Sequence, residues 1–270
     1  MKKIKEISHK LIQKLNYGAF GLHFASAIAL IIIFSVIRKE VNFDTNLWTF
    51  KLTSISNDDR LIELEAYDYL NVSTIALEVL LILIFLITSL FHIYYAKSKF
   101  YVNEVNNGYN RIRWIEYSIT STIMIFLLSI LSGVKDFDAV LSLCMINATL
   151  MSFGYFFEIS KDNMSKILSL AIGFILLIFI WAIIFKNFFT RVQEVENLGR
   201  DLPEWIYGVL VPMFFWWCSF GIVAMIQYFK GGDYKKYELC YIILSYLSKA
   251  FMGYYLVYGM LREPNNNETT

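Results

Sequence analysis

Between Leu239 and Leu261 runs an apolar stretch of helix length, LCYIILSYLSKAFMGYYLVYGML, whose one charged residue, Lys249, stands almost at its centre. A bare ammonium at mid-bilayer costs from about 3 to more than about 10 kcal/mol, so a lysine there marks a functional position. A long side chain can carry its charge to the membrane surface. Here ten residues of the run precede Lys249 and twelve follow it, and at about 1.5 Å of rise per residue neither surface is within easy reach. The other outlet is covalent: the amine condenses with a carbonyl compound to a Schiff base, which uses up the free ammonium and creates a site.

A buried cation needs a counter-charge, and RIRWIEYSIT offers one. Arg113, Glu116 and Thr120 stand at i, i+3 and i+7, along one helical face, with Trp114 and Tyr117 beside them. Glu116 read alone is a helix-end acid that pairs with Arg113; once Lys249 is considered, it becomes the candidate counterion. Ser245 lies one turn before the lysine. His23 and Ser26 fall in the first apolar run, and His92, with Thr88 at i−4, falls near the end of the second. Because Cα–Cβ bonds tilt toward a helix's amino terminus, Lys249 leans toward the half that holds Glu116, His23 and His92. A polar cluster under the amine is expected. Asn147 and Gly154 share the fourth run, Trp181 lies in the fifth, and Phe214 to Trp217 sit mid-span in the sixth, where aromatic side chains can wall a slot for a flat apolar ligand. Gly154, Trp181 and Trp217 join the candidate binding residues on that ground.

The elements that position these residues follow from composition. Of 270 residues 57% are hydrophobic and 17% charged, a membrane composition. Apolar runs near 17–37, 70–95, 112–133, 137–159, 165–186, 204–229 and 239–261 are each long enough to cross about 30 Å of hydrocarbon. A seven-helix bundle in one domain, 1–270, is expected. The first run is too long for a secretory signal and is read as a helix of the mature protein. Cys144, Cys218 and Cys240 all fall in apolar runs, which argues against a disulfide framework.

The segment before the first run and those that alternate with it to one side hold fourteen basic and six acidic residues, the opposite side nine and fifteen. The positive-inside rule makes the amino terminus cytoplasmic, and seven crossings put the carboxyl terminus outside. On the outer side, in the loop over 38–70, Trp48, Phe50 and Leu52 alternate with Thr49, Lys51 and Thr53, the pattern slips at Ser54 and Ile55, and Ile62 and Leu64 alternate with Glu63 and Glu65. A small β-hairpin is predicted there, with its turn over Ser56–Asp59.

At this point the residues resemble the heliorhodopsins, retinal-binding seven-helix proteins of inverted topology. The likeness covers nearly the whole chain: HFxxA, NVS and LFHxYYA, RWIEYS, NxxLMSFG, QY closing the sixth run, and YELCYIILSYLSK. RWIEYS together with LSxxxK is its specific part. The chain departs from the pattern at Ser26, where the family has glutamine, and at Pro212. The resemblance implies all-trans retinal on Lys249 as a protonated Schiff base, with Glu116 as its sole carboxylate counterion. It places Ser245 where most microbial rhodopsins have a second carboxylate. It also assigns His23, His92, Thr88, Trp114, Tyr117, Thr120 and Asn147 to the polar surroundings, and implies a homodimer with the hairpin at its interface.

Three functions compete. A sensory protein lets light change helix packing for a cytoplasmic signalling partner to read; a transporter or channel moves a proton; a carrier or lyase uses the lysine on another carbonyl compound. A pump needs an inward-facing acid on the far side of the lysine. Leu127 occupies the position eleven residues beyond Glu116, leaving Glu78 and Glu204 as the only outer candidates. The reading is therefore a retinal photoreceptor in the lipid bilayer, not an enzyme and not a nucleic-acid binder.

Overall fold

The computed structural model describes residues 8–36, 45–55, 62–72 and 74–262. In chain order they form α1 (His9–Val36), β1 (Thr45–Ile55), β2 (Ile62–Val72), α2 (Thr74–Lys97), α3 (Lys99–Asn106), α4 (Arg111–Leu131), α5 (Phe137–Ile159), α6 (Asn163–Asn197), α7 (Glu204–Lys230) and α8 (Tyr234–Arg262). Among the described residues, every helix but α3 is long and apolar enough to cross a membrane, seven in all. They close a ring in which α1 packs on α2, α2 on α4, and then each on the next through α8, which returns to α1.

Helix boundaries follow local chemistry. Asn110, Asp136 and Asp162 cap α4, α5 and α6, each accepting a hydrogen bond from a backbone N–H three residues on. That bond, made at the exposed start of α6, holds the Asp162 carboxyl below the usual carboxylate range. Between α7 and α8 the chain turns through Gly231 and Gly232 at φ 53° and 93°, left-handed conformations that glycine adopts without strain. Helices run past the apolar runs that predict them: α1 begins at His9, α6 continues to Asn197, and α8 begins at Tyr234. Hydropathy places a membrane, whereas backbone hydrogen bonds continue until a cap or a turn stops them.

Two differences from expectation concern loops. The second span starts at Thr74, after β2 has taken Asn71 and Val72. The eight-residue α3 is too short and too polar on average to stand out in the sequence; Ser98 caps it, and its buried Tyr101 and Val105 join a small core with Ile12, Ala19, Tyr95, Tyr234 and Ile242.

The predicted hairpin is present, antiparallel and longer than the alternation suggested. Its register shifts between Leu52 and Ser54, where the period-2 pattern slips, as an extra residue in one strand requires. The predicted turn over Ser56–Asp59 lies outside the described residues. Trp48 N–H donates to the Lys135 carbonyl at 2.9 Å, and Leu47 is fully buried, so β1 is seated on the α4–α5 connection. The main core lies within the ring, with Ile125, Leu128, Ile180, Ile184, Val209, Leu210 and Met213 inaccessible. Of the seven spans α4 and α8 are the most buried.

Candidate functional site

Those two helices face each other with the predicted charges. Lys249 Nζ donates to Glu116 Oε1 at 2.5 Å and to Ser245 Oγ at 2.9 Å, both partners being buried. The reach back to Ser245 is the amino-terminal lean expected of a helical side chain. Thr88 Oγ1 and Thr120 Oγ1 donate to the same Glu116 oxygen at 2.9 and 3.1 Å. Three donors thus converge on one carboxylate oxygen, in a place where an unpaired charge is costly. The Tyr117 ring centre lies 5.3 Å from Nζ, close enough for a cation–π contact.

Beyond the ammonium opens a cavity between α4, α5, α6, α7 and α8, with Lys249 at one end. Thr120, Ser121, Ser245 and Ser248 line it near the lysine; Trp114, Tyr117, Trp217 and Phe220 supply aromatic walls, and Met124, Leu150 and Leu177 apolar ones. Gly154 is the counterpart of Trp114: a Cβ there would run into the indole ring. The Trp114 ring takes its place in the lining because α5 offers no side chain at that point. A polar end carrying an amine and a long apolar aromatic remainder fits a polyene aldehyde held through an imine.

The remaining predicted residues fall into separate groups. Asn147 stands behind the wall, its amide donating to Ser121 Oγ at 2.7 Å and its oxygen accepting from Trp217 Nε1 at 3.4 Å. Trp181 lies further back, 5.9 Å from the Trp217 ring and outside the cavity lining. His23 and His92 stack on each other with ring centres 5.4 Å apart, on the polar side of the pair. Among the described residues neither nitrogen of His23 has a hydrogen-bond partner, nor does His92 Nε2. His92 Nδ1 lies 2.8 Å from Asn16 Oδ1. Since the Asn16 amide nitrogen already donates to the Ile12 carbonyl and to Tyr101 OH, its oxygen accepts, and the His92 proton sits on Nδ1. Ser26 accepts from Tyr254 OH at 2.8 Å.

A second charged cluster escaped sequence reasoning. Arg113 does not pair with Glu116; its guanidinium bridges Glu158 and Glu238, all three buried. Both acids stand at the ends of apolar runs, where they read as loop residues. Their signal was Arg113 itself, a cation on the buried face of α4 that needs an anion.

The geometry agrees with comparisons to known proteins. A model of the heliorhodopsin family matches residues 12–261. No curated protein matches the chain. Among solved structures, the rhodopsin of Exiguobacterium sibiricum is similar over 93% of this chain and 96% of its own, at 15% identity and a TM-score of 0.63. The transmembrane domain of the Salpingoeca rosetta rhodopsin phosphodiesterase is similar over 94% and 86%, at 13% identity and 0.70. The light-driven proton pump of Leptosphaeria maculans is similar over 96% and 99%, at 15% identity and 0.67. At these identities the likeness is one of fold.

Proposed function

The chain belongs to the heliorhodopsin family, whose chromophore is retinal, and we propose that it is a sensory photoreceptor that responds to light without pumping ions. The observation that carries the reading is the buried Lys249–Glu116 pair at the mouth of an aromatic cavity. Lys249 would hold all-trans retinal through an imine, and Trp114, Tyr117, Trp217 and Phe220 would shape the slot. When bound, retinal supplies absorption of visible light and an isomerisation that displaces charge. Glu116 balances the positive nitrogen, and in a low-dielectric site that attraction keeps the nitrogen protonated at neutral pH. Thr88 and Thr120 fix the carboxylate, so light works against a rigid anion.

Residues 1–270 act as one retinal-binding domain on this reading. The charge distribution supports a cytoplasmic amino terminus and an outer hairpin. The hairpin's second face supports a homodimer in which it takes part: replacing Trp48–Leu64 with a short Gly/Ser loop is expected to reduce the size of the detergent-solubilised particle, and unchanged size counts against it.

Adding all-trans retinal to the purified protein tests the main proposal. A visible absorption band is expected, and its absence overturns the reading, as it would for a lysine serving another carbonyl compound. The runner-up, a light-driven proton transporter or channel, is favoured only by Glu78 and Glu204 at the outer ends of α2 and α7.

A further inference from the structure

The Arg113 cluster is unbalanced by one charge. Glu158 Oε1 accepts from Arg113 Nη2 and from Tyr234 OH at 2.9 Å; its Oε2 accepts from Trp114 Nε1 at 2.8 Å and the Asn110 backbone N–H at 3.1 Å. Glu238 Oε2 accepts from Arg113 Nη1, and its Oε1 from Tyr101 OH at 2.9 Å and Asn110 Nδ2 at 3.0 Å. One guanidinium therefore faces two carboxylates in a place from which water is excluded. Two anions sharing such a site favour uptake of one proton.

The cluster is close to the lysine pair and joined to it. Arg113 stands three residues before Glu116 on α4, one helical turn away. Trp114 lines the cavity at Lys249 and donates its indole N–H to Glu158. A second connection runs from His92 to Asn16, from Asn16 Nδ2 to Tyr101 OH at 3.1 Å, and from Tyr101 OH to Glu238. The buried Tyr95 hydroxyl, without a hydrogen-bond partner among the described residues, is within electrostatic range of both Glu116 and Glu238. Arg113 Nε and Tyr241 OH, whose ring centre is 4.0 Å from the guanidinium, also lack partners in the protein. The charged and titratable groups that face the acids are thus Arg113 and Tyr117 from α4, Tyr95 from α2, Tyr101 from α3, and Tyr234 and Tyr241 from α8, with Glu104 beyond them engaged by Arg111.

The two acids differ in their partners. Glu158 is held by four donors and Glu238 by three, and each has one hydroxyl among them, Tyr234 on Glu158 and Tyr101 on Glu238. A hydroxyl can turn from donor to acceptor, so each can hold its acid in either protonation state, but only Tyr101 belongs to the chain that reaches His92. Burial first, and Glu238 second, keep the Tyr101 phenol well above its usual range; it reorients as a neutral group and does not ionise.

We propose that Glu238, in the Arg113 cluster, is the internal acceptor of the proton that the Lys249 nitrogen gives up after illumination. The balance is simple: the N–H bond at Lys249 breaks, an O–H bond forms on Glu238, the cluster goes from one net negative charge to none, and no proton leaves the protein. The inference rests on the retinal reading above.

Light-minus-dark infrared spectroscopy of the retinal-loaded protein tests it, with a soluble pH dye in the same sample. As the visible band gives way to its blue-shifted, deprotonated form, a carboxylic acid C=O band is expected to appear while the dye stays silent. Glu238→Gln should remove that band. Glu158→Gln should shrink it, because Arg113 then faces a single anion. Glu78→Gln should leave it intact. Tyr101→Phe should slow its rise by about a hundredfold, the low end of what one positioned proton-transfer group contributes. A band that survives Glu238→Gln, vanishes in Glu78→Gln, or is replaced by a dye signal overturns the proposal. Should Glu238→Gln yield no coloured protein, an unchanged rise in Tyr101→Phe overturns it instead. Wild-type protein that forms no visible band at all refutes the retinal reading itself, a distinct outcome.

Discussion

Lys249 on α8 and Arg113 on α4 are both buried cations paired with carboxylates, and their surroundings are built on opposite terms. Lys249 meets one carboxylate, and its far side opens on an aromatic cavity. Arg113 meets two carboxylates, lies over the Tyr241 ring and is bounded by Tyr234, Trp114 and Asn110. The first site is balanced in charge and open in space; the second is unbalanced and closed. Burial alone therefore does not distinguish a ligand site from a structural one, since both ions are almost wholly inaccessible. Space decides which can take an organic ligand, and charge decides which can take a proton.

Substitution at the two cations should separate these roles most sharply. Lys249→Ala is expected to abolish the visible band of the retinal-loaded protein, because no other lysine faces the cavity; a persisting band assigns the linkage elsewhere. Arg113→Met should leave two buried carboxylates facing each other. Removing one partner of a buried ion pair costs about 3–5 kcal/mol, so thermal unfolding in detergent should show a clear loss of stability. A melting temperature equal to that of the native chain would mean that the guanidinium contributes little to holding α4, α5 and α8 together.

Glu116→Gln should act more mildly on stability and visibly on colour. The carboxylate favours the ground state, in which positive charge sits at the nitrogen, over the excited state, in which it moves along the polyene. Its removal should move absorption to the red and lower the pH at which the visible band is lost. A pH titration unchanged by the substitution would show that another acid balances the nitrogen, and Glu78 is then the first to examine.

The contrast also explains what was legible in the sequence. Lys249, Glu116, Thr88, Thr120 and Ser245 are polar residues well inside apolar runs, and helical periodicity places them at one depth; the structure joins all five in one hydrogen-bonded chain through Glu116 and Lys249. Glu158, Glu238 and Asn16 stand at the ends of such runs, where polarity is ordinary, and Tyr101 lies on the short α3. Only a partner search from Arg113 would have drawn the two acids in. Trp181 shows the reverse: a central aromatic suggests a pocket wall, but spacing cannot say which of two rings in edge-to-face contact faces the cavity, and Trp217 is the one that does. The hairpin's alternation and slip were readable, though its length was not, because pairing with a partner strand extends it beyond the alternating residues.

The smallest effect is expected where the two sites have no counterpart. Moving a proton across the membrane requires a relay on both sides of the Lys249 nitrogen. Toward α3 the Arg113 cluster supplies acids. In the opposite direction α4 presents Met124, Leu127 and Leu128, all buried and apolar. Glu78 on α2 is part-exposed, and Glu204 in the first turn of α7 is exposed, so neither is held inside the bundle as a relay acid is. A proton that goes to the cluster has no way onward through these residues and must return. Illuminated cells expressing the protein, held under voltage clamp at several pH gradients, are therefore expected to show at most a brief charge displacement and no sustained current, with Glu78→Gln and Glu204→Gln indistinguishable from the native chain. A steady photocurrent that either substitution removes would give the outer side a working acid, make the two directions alike, and replace the sensory reading with transport.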